Sequence, residues 1–305
     1  MIEIINMFEV LFCALLSISF LGILLYCLAY KRTSIAYLVV LGIAAFILLR
    51  YVWFAWVLSP LMLLPFFKKM RYEFIMMCCM LPAIPLAYFL LELFSTSSIP
   101  FIGWVALFTA VIVCAFGILG VFENDIRKYL FYSNTLQIFF VLLDLSVGAA
   151  AGKLDILGAI QILNYTIAGL LFFLSIGIIS RNGMYMEIDK LEGRYYSDKK
   201  NAACSIISGL SLVGLPGLNI FVSEFFLFAI AFEINPLISI LGVFAALILF
   251  IMYFKIPYVL LVGREQPTIK TSKTLTMFNI ALCFACIILG IFPQLQIFLL
   301  TEVFI

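Results

Sequence analysis

Residues 209–224 read GLSLVGLPGLNIFVSE, and this stretch decides the kind of fold that the chain can adopt. Gly214, Pro216 and Gly217 stand in the middle of an otherwise apolar span, where glycine and proline interrupt the helical hydrogen-bond ladder. Because lipid offers no hydrogen bonds, such an interruption is tolerated at membrane depth only where protein or a wet cavity satisfies the freed backbone groups. The stretch therefore predicts a broken transmembrane helix around residues 213–219.

The composition around this stretch is that of a membrane protein. Of 305 residues, 66% are hydrophobic and 11% are charged, whereas a soluble domain has about 25% charged residues. Apolar stretches of about 17–25 residues recur, the length that a helix needs to cross a hydrocarbon core of about 30 Å. We predict an all-α polytopic bundle of about ten transmembrane helices, with spans at 8–30, 34–49, 51–67, 72–94, 101–121, 129–149, 154–180, 202–231, 236–262 and 275–300.

Basic residues fall almost entirely in alternate loops. The loops that follow odd-numbered spans carry 15 of the 18 basic residues, namely Lys31, Arg32, Lys68, Lys69, Arg71, Arg127, Lys128, Arg181, Lys190, Arg194, Lys199, Lys200, Arg264, Lys270 and Lys273. Basic loops resist translocation, so these loops should face the cytoplasm or the mitochondrial matrix. With ten spans, both termini should then lie on the opposite side.

Three ionisable residues interrupt the apolar pattern, and each has two interpretations. Glu224 follows the predicted break by two turns, where burial of an ionisable group is expensive, so function is the default hypothesis and a hydrogen bond to a neighbour is the alternative. Lys255 either extends to the nearby interface or, beside Pro257, lines a water pocket. Asp144 lies near the end of its span and is most simply an interfacial residue, with a relay role as the alternative.

The sequence holds no pattern of a soluble active site or cofactor site. It has no histidine, the commonest metal ligand and neutral-pH proton relay. Its eight cysteines lie almost wholly within apolar segments, so we interpret them, including the pair Cys283 and Cys286, as small buried hydrophobes. Phosphate-binding loops and basic aromatic surfaces for nucleic acid are also missing. We therefore expect no catalytic residue, cofactor, metal or nucleic-acid partner for this chain.

Three motifs occur in the order and spacing of one membrane-protein family. Residues 123–137 (ENDIRKYLFYSNTLQ) resemble the pattern (Q/N)xDLKRLLAYSSISQ, and residues 214–224 (GLPGLNIFVSE) resemble GLPPLxGFxxK/E. Between them, residues 162–173 (ILNYTIAGLLFF) are similar to LxNHAxFKALLF. These are motifs of the antiporter-like membrane subunits of the respiratory complex I family. Residues 53–70 and 290–293 look most like NADH dehydrogenase (NADH:ubiquinone oxidoreductase) subunit 2.

The resemblance implies one membrane domain over residues 1–305. Residues 1–33 would form an extra N-terminal helix, and residues 34–300 the antiporter-like bundle, shortened between 71 and 100 by about two helices relative to the family. Members of the family are thought to move protons along buried Glu and Lys residues, driven by redox chemistry in partner subunits.

Most of these family charges have no counterpart in this chain. The early glutamate matches Pro60, one central lysine falls near Cys79 or Met80, and another matches Gly169, so only the last position survives, as Glu224. The resemblance and the polar pattern together indicate a half-channel with these relay candidates: Glu224, Lys255, Asn219, Ser211, Gln137, Tyr132 and Asp144.

The expected function is that of a membrane-arm subunit of a complex I-type respiratory enzyme (NADH:quinone oxidoreductase), contributing to redox-coupled proton translocation or to scaffolding of the membrane arm. Its partners would be other membrane-arm subunits and the lipid bilayer, with the redox cofactors in other chains. Its location would be the mitochondrial inner membrane or a prokaryotic cytoplasmic membrane. One alternative is a non-pumping structural subunit of that complex, and another is a subunit of an energy-converting hydrogenase or a multisubunit cation/proton antiporter.

Overall fold

The computed structural model describes residues 2–31, 34–67, 70–96, 102–152, 154–180, 184, 186–263 and 271–304. Over these residues the chain forms twelve α-helices: α1 (Ile2–Ala29), α2 (Ile35–Arg50), α3 (Ser59–Phe67), α4 (Tyr72–Thr96), α5 (Ile102–Phe122), α6 (Ile126–Ala151), α7 (Leu154–Ile179), α8 (Lys199–Leu212), α9 (Asn219–Ile234), α10 (Pro236–Leu261), α11 (Lys273–Ile291) and α12 (Pro293–Phe304). Two 3-10 helices, Val52–Leu58 and Ile188–Leu191, complete the described secondary structure, with one isolated bridge between Asp125 and Glu187.

The predicted all-α membrane bundle is confirmed. Seven helices of the described part are long and apolar enough to cross a membrane, namely α1, α4, α5, α6, α7, α10 and α11, and shorter apolar helices accompany them. The predicted span 202–231 is divided into α8 and α9, as the glycine and proline pattern indicates. The predicted span 275–300 is also divided, because Pro293 has no N–H with which to continue α11, and α12 begins there. The division of the chain into residues 1–33 and 34–300 stays a prediction.

Helix α7 lies at the centre of the bundle. Its apolar window within residues 157–179 is 100% buried, and α1, α4, α6, α8, α9 and α11 all pack on it. Close packing is possible at Gly177, where the rings of Tyr26 and Tyr72 approach within 2.9 Å of the position that a Cβ would take. The Tyr72 hydroxyl donates to the Phe173 carbonyl at 2.7 Å, which ties α4 to α7. Helix α7 is therefore the fixed surface against which the broken helix lies.

The loops that follow α5, α7 and α10 meet at one end of the bundle. The N–H of Ile188 donates to the Asn124 carbonyl at 2.9 Å, and the N–H of Gly193 donates to the Val262 carbonyl at 2.7 Å. These loops belong to the basic group of the sequence pattern, and their contacts place them together. Six of the fifteen basic residues in the topology prediction lie outside the described residues: Arg32, Lys68, Lys69, Arg181, Arg264 and Lys270.

Candidate functional site

The helix break lies between Leu212, the last residue of α8, and Asn219, the first residue of α9. Gly214 and Gly217 have φ angles of 74° and 90°, in the left-handed region that favours glycine. The N–H of Leu218 donates to the Leu215 carbonyl at 3.1 Å, which closes the turn that contains Pro216 and Gly217. The predicted break is confirmed, and it leaves the carboxyl end of α8 and the amino end of α9 inside the bundle.

Glu224 lies one and a half turns into α9 and points back at the break. Its residue is 4% exposed, and its Oε1 has no hydrogen-bond partner among the described residues. A Cβ added to Gly214 would lie 1.9 Å from Oε2 of Glu224, so the carboxyl occupies the space that any other residue at position 214 would fill. Glycine at position 214 therefore leaves room for the Glu224 carboxyl directly against the interrupted backbone.

Four buried polar side chains connect the break to α7 and α12. Ser211 Oγ donates to Asn219 Oδ1 at 2.5 Å, and Asn219 Nδ2 donates to the backbone carbonyl of Asn164 at 3.0 Å. Asn164 Nδ2 in turn donates to Gln296 Oε1 at 2.9 Å. All four residues are 0% exposed. Since buried amides that are hydrogen-bonded to one another fix relative helix positions, this cluster holds α9 in place behind Glu224.

One face of α6 adds polar groups along the same region. Ser133, Gln137 and Asp144 are four and seven residues apart, so they share a face of the helix. Gln137 Nε2 donates to the carbonyl of Leu212 at 3.2 Å and so satisfies one of the terminal carbonyls of α8. Ser133 Oγ lies 2.7 Å from the hydroxyl of Tyr253 on α10. The side of the break that faces α6 is therefore polar over several turns.

The interfacial interpretation of Asp144 is wrong. Asp144 is 0% exposed, and both of its carboxyl oxygens lack a hydrogen-bond partner among the described residues. It lies close enough to Glu224 for the two carboxyls to interact electrostatically. The physical reason is packing, because α6 lies against both α7 and α9 inside the bundle. Asp144 and Glu224 thus form a pair of buried acids that lie far apart in the sequence.

Two other relay candidates lie elsewhere in the bundle. Lys255 Nζ donates to the carbonyls of Glu123 at 2.7 Å and Val121 at 3.4 Å, at the carboxyl end of α5. Tyr132 packs among aromatic rings, with its centroid 6.0 Å from those of Phe66 and Phe116. The structure therefore brings Glu224, Asn219, Ser211, Gln137 and Asp144 together and leaves Lys255 and Tyr132 outside that cluster.

A cavity of about 740 Å³ opens between α9 and α10 on the outer surface of the bundle. Its walls are mostly apolar, with phenylalanines that include Phe225, Phe228 and Phe250, and Glu224 and Gly214 form part of its lining. Phe225 is 57% exposed, so the rim of the cavity lies at the surface. Glu224 therefore separates an apolar outer groove from the polar cluster inside.

Several residues of the cluster escaped the sequence-based predictions. Asn164 Nδ2 donates to Ser223 Oγ and to Gln296 Oε1, and Ser133 Oγ lies within hydrogen-bond distance of the Tyr253 hydroxyl, but none of these four residues was among the relay candidates. Within the described ranges, His, Cys, Asp and Glu side chains form no group of three that could hold a metal ion. The expectation that this chain carries no cofactor stays a prediction.

Comparison with known sequences identifies relatives in respiratory enzymes. Subunit M of the NADH-quinone oxidoreductase of Buchnera aphidicola subsp. Baizongia pistaciae is 29% identical over 168 residues, which cover 54% of this chain and 31% of the relative. Subunit N 2 of the same enzyme from Solidesulfovibrio magneticus is 25% identical over 190 residues, which cover 62% of this chain and 40% of the relative. The matched part of the chain thus spans about a third of the length of these relatives.

Comparison with solved structures identifies the same fold in three kinds of membrane complex. A chain of the Mrp complex from Dietzia sp. has a TM-score of 0.67 at 15% identity, covering 98% of this chain and 66% of that one. A chain of respiratory complex I from Thermus thermophilus has a TM-score of 0.64 at 18% identity, covering 98% and 67%. A chain of an archaeal membrane-bound sulfane sulfur reductase has a TM-score of 0.66 at 19% identity, covering 96% and 63%.

The sequence profile of one family, described as "NADH:quinone oxidoreductase/Mrp antiporter, TM", matches residues 74–249. This segment is more than half of the chain and contains most of α4, all of α5 to α9, the break and Glu224. The chain therefore belongs to the NADH:quinone oxidoreductase/Mrp antiporter transmembrane family.

Proposed function

We propose that this chain is a membrane-arm subunit of a complex I-type respiratory enzyme and that Glu224 takes part in its redox-coupled proton translocation. The observation that carries the proposal is the buried carboxyl of Glu224, held against the interrupted backbone at Gly214 with its Oε1 unpartnered among the described residues. An ionised carboxylate without a partner costs several kcal/mol when it is buried in this way. A cost of that size argues against a purely structural role for Glu224. A group that takes up and releases a proton fits this environment.

The neighbouring Asp144 gives Glu224 a partner for proton exchange. Two carboxyls that interact electrostatically disfavour simultaneous ionisation, so a proton that arrives at one favours release from the other. Gln161 is also 0% exposed with both amide atoms unpartnered among the described residues, and it lies one turn from Gly158, which packs against Leu145. Asp144 and Gln161 would therefore carry the proton from Glu224 towards the end of the bundle opposite the basic loops.

The basic loops set the proposed orientation. They should face the mitochondrial matrix or the prokaryotic cytoplasm, with both termini on the other side of the mitochondrial inner membrane or the prokaryotic cytoplasmic membrane. The hydrogen bonds among the loops after α5, α7 and α10 support the proposal that these loops lie at the same end of the bundle. The end towards which Asp144 leads would then be the positive side of the membrane.

Other membrane-arm subunits would supply the driving force. The structural relatives with TM-scores of 0.64 to 0.67 are chains of large membrane complexes, which supports assembly with such partners. Redox energy would reach this chain as a charge displacement in a neighbouring subunit, and the pair of buried acids would respond to it because Coulomb interactions are strong where water is excluded.

Glu224→Gln tests this proposal in the assembled complex. Glutamine keeps the size and hydrogen-bonding capacity of the side chain but cannot release a proton, so transfer through the relay should slow by about 10²-fold or more. The expected result is a complex of normal subunit content with a reduced proton-to-electron ratio, measured in sealed membrane vesicles.

Glu233→Gln provides the matched control. Glu233 lies on the same helix and loses the same charge on substitution, but its side chain is exposed. The proton-to-electron ratio of the Glu233→Gln complex should therefore equal that of the wild type. An unchanged ratio in the Glu224→Gln complex would remove the relay role and select the structural subunit instead.

A cation/proton antiporter subunit is the second candidate function, and the likeness to the Mrp complex favours it. Proton uptake by the same vesicles distinguishes the two candidate functions. Proton uptake that depends on added sodium and persists without electron donor would support an antiporter, whereas donor-dependent and sodium-independent pumping would support the respiratory enzyme.

A further inference from the structure

Two cysteine thiols meet inside the bundle, where α8 packs against α11. Cys204 on α8 and Cys283 on α11 lie within hydrogen-bond distance of each other, and both are free and buried. One turn earlier, Asn279 Nδ2 donates to Asn201 Oδ1 at 3.0 Å, which joins the same two helices. Cys204 follows Asn201 by three residues and Cys283 follows Asn279 by four, so on each helix the two residues share a face. The packing of α8 on α11 therefore places the two thiols opposite each other.

A third thiol, that of Cys286, lies on the same face of α11 but has a different neighbour. It is three residues after Cys283, and Cβ atoms at that separation in a helix are about 5–6 Å apart. A disulfide requires about 3.8 Å between its Cβ atoms, so a bond within α11 would distort the helix. Cys286 instead lies within hydrogen-bond distance of the hydroxyl of Ser211 on α8. Of these three thiols, Cys204 and Cys283 are therefore the two that are placed to form a disulfide.

The thiol pair lies close to the polar end of the interface between α8 and α11. Cys204 is five residues after Lys199, the first residue of α8, which is about 8 Å along the helix at 1.5 Å per residue. Between that end and the thiols, Asn201 Nδ2 donates to Thr276 Oγ1 at 3.1 Å. Asn279 is 0% exposed, and its Oδ1 has no hydrogen-bond partner among the described residues. A small molecule that donates a hydrogen bond would satisfy this acceptor one turn from the thiol pair.

Both helices that carry the thiols also contact the helix break. Ser211 Oγ, in the last turn of α8, donates to Asn219 Oδ1 at 2.5 Å. On α11, the position that a Cβ would take at Gly290 lies 2.4 Å from the carbonyl oxygen of Gly217. A covalent bond between α8 and α11 would therefore restrict movement of the backbone between the end of α8 and the start of α9.

We propose that Cys204 and Cys283 are a redox modification site, at which hydrogen peroxide forms a disulfide that cross-links α8 to α11 beside the break. Cys283 is the more exposed of the two, at 8% against 3%, so it reacts first. One peroxide oxygen adds to its sulfur to give a sulfenic acid, and the O–O bond breaks with release of water. The sulfur of Cys204 then attacks the sulfenic sulfur, and the hydroxyl group leaves as a second water. The two thiols together lose two electrons and two protons, with which one peroxide is reduced to two waters.

The cross-link would inhibit proton translocation, and this consequence rests on the proposed function. A relay at the break takes up a proton from one side and releases it to the other, which requires the break to change its arrangement around Glu224. A disulfide that holds α8 against α11 opposes such a change. Oxidation should therefore lower the proton-to-electron ratio, and reduction of the disulfide should restore it.

Mass spectrometry of the assembled complex tests the modification site. Membranes that are treated with hydrogen peroxide, alkylated with N-ethylmaleimide and digested without reductant should contain a cross-linked peptide that joins Cys204 to Cys283. This peptide should be several-fold more abundant than in untreated membranes, and dithiothreitol should remove it. Cys204→Ser should abolish the cross-link, whereas Cys286→Ser, the matched control, should retain it. A bond between Cys283 and Cys286, sulfinic acids without a cross-link, or full alkylation of both thiols after peroxide treatment would each overturn the proposal.

The proton-to-electron ratio of sealed vesicles tests the effect of the cross-link. Peroxide should lower the ratio of the wild-type complex, and dithiothreitol should restore it, while the ratio of Cys204→Ser should not respond to the same treatment. Equal losses in both complexes, or an unchanged ratio in oxidised wild-type vesicles, would overturn the inhibitory effect and leave the relay at Glu224 standing. An unchanged ratio in Glu224→Gln would instead overturn the proposed function, whereas the cross-link itself, which is measured by mass, would remain.

Discussion

Gly290→Ala is expected to destabilise the subunit by about 1–3 kcal/mol, the cost of overpacking a tight interface. A Cβ at this position would lie 2.4 Å from Gly217 O and from the Cα and carbonyl carbon of Leu218. All three are backbone atoms of the helix break, so no side-chain rotation relieves the contact, and α11 must move away from the break. We expect a lower thermal unfolding temperature for the purified complex and less of this subunit in it.

Gly103→Ala is the matched control for this substitution. A Cβ at Gly103 would meet nothing within 4 Å, and the residue lies inside α5. Alanine should therefore be neutral there, or stabilising by about 0.5–1 kcal/mol through its lower conformational entropy in the unfolded chain. Equal unfolding temperatures for the two variants would show that the break tolerates displacement of α11.

Gly214→Ala is expected to abolish proton translocation through this chain. Alanine at φ 74° is strained by about 1–2 kcal/mol, and its Cβ would lie 1.9 Å from Glu224 Oε2. The carboxyl must therefore leave its place against the break and its neighbour Asp144. We expect the proton-to-electron ratio to fall as far as in Glu224→Gln, together with a modest loss of thermal stability.

Gly217→Ala separates the backbone effect from the displacement of the carboxyl. Gly217 has φ 90°, so alanine meets comparable strain, but its Cβ would have no neighbour within 4 Å. This variant should lose similar stability and retain its proton-to-electron ratio. If both variants pumped normally, the exact position of the Glu224 carboxyl would not matter for proton transfer. If both failed to pump, the conformation of the break, and not the position of the carboxyl, would control proton transfer.

In the proposed scheme, the two buried acids would allow proton transfer although most family charges have no counterpart in this chain. Pro60, Cys79 or Met80, and Gly169 stand where the resemblance expects charges. In that scheme Asp144, whose carboxyl interacts electrostatically with that of Glu224, would take the place of a missing charge. Proton transfer would then require this pair of carboxyls instead of a row of charges across the whole bundle.

Much of the architecture could be predicted from the sequence because it depends on local properties. The apolar stretches determine a helical membrane bundle, since lipid leaves the backbone no other way to satisfy its hydrogen bonds than within each helix. Gly214, Pro216 and Gly217 determine where one helix ends. Glu224 can be recognised as a candidate from the sequence because it is a charged residue in an apolar segment. The interruption at Phe292 was missed, because a proline after a long apolar run is also compatible with a kinked continuous helix.

Only the tertiary structure decided which polar residues meet. Asp144 looks interfacial from its distance to the end of its span, but it is fully buried on a helix that packs against α7 and α9, and its carboxyl interacts electrostatically with that of Glu224. Lys255 was a relay candidate by sequence, whereas its ammonium group lies on the carbonyls that end α5. Cys283 and Cys286 are buried, as predicted, but the sequence did not indicate that Cys204 and Ser211 of α8 lie opposite them. Hydropathy and spacing describe one helix at a time, whereas a polar cluster arises where faces of helices distant in sequence pack together, and that packing depends on the shapes of all of them.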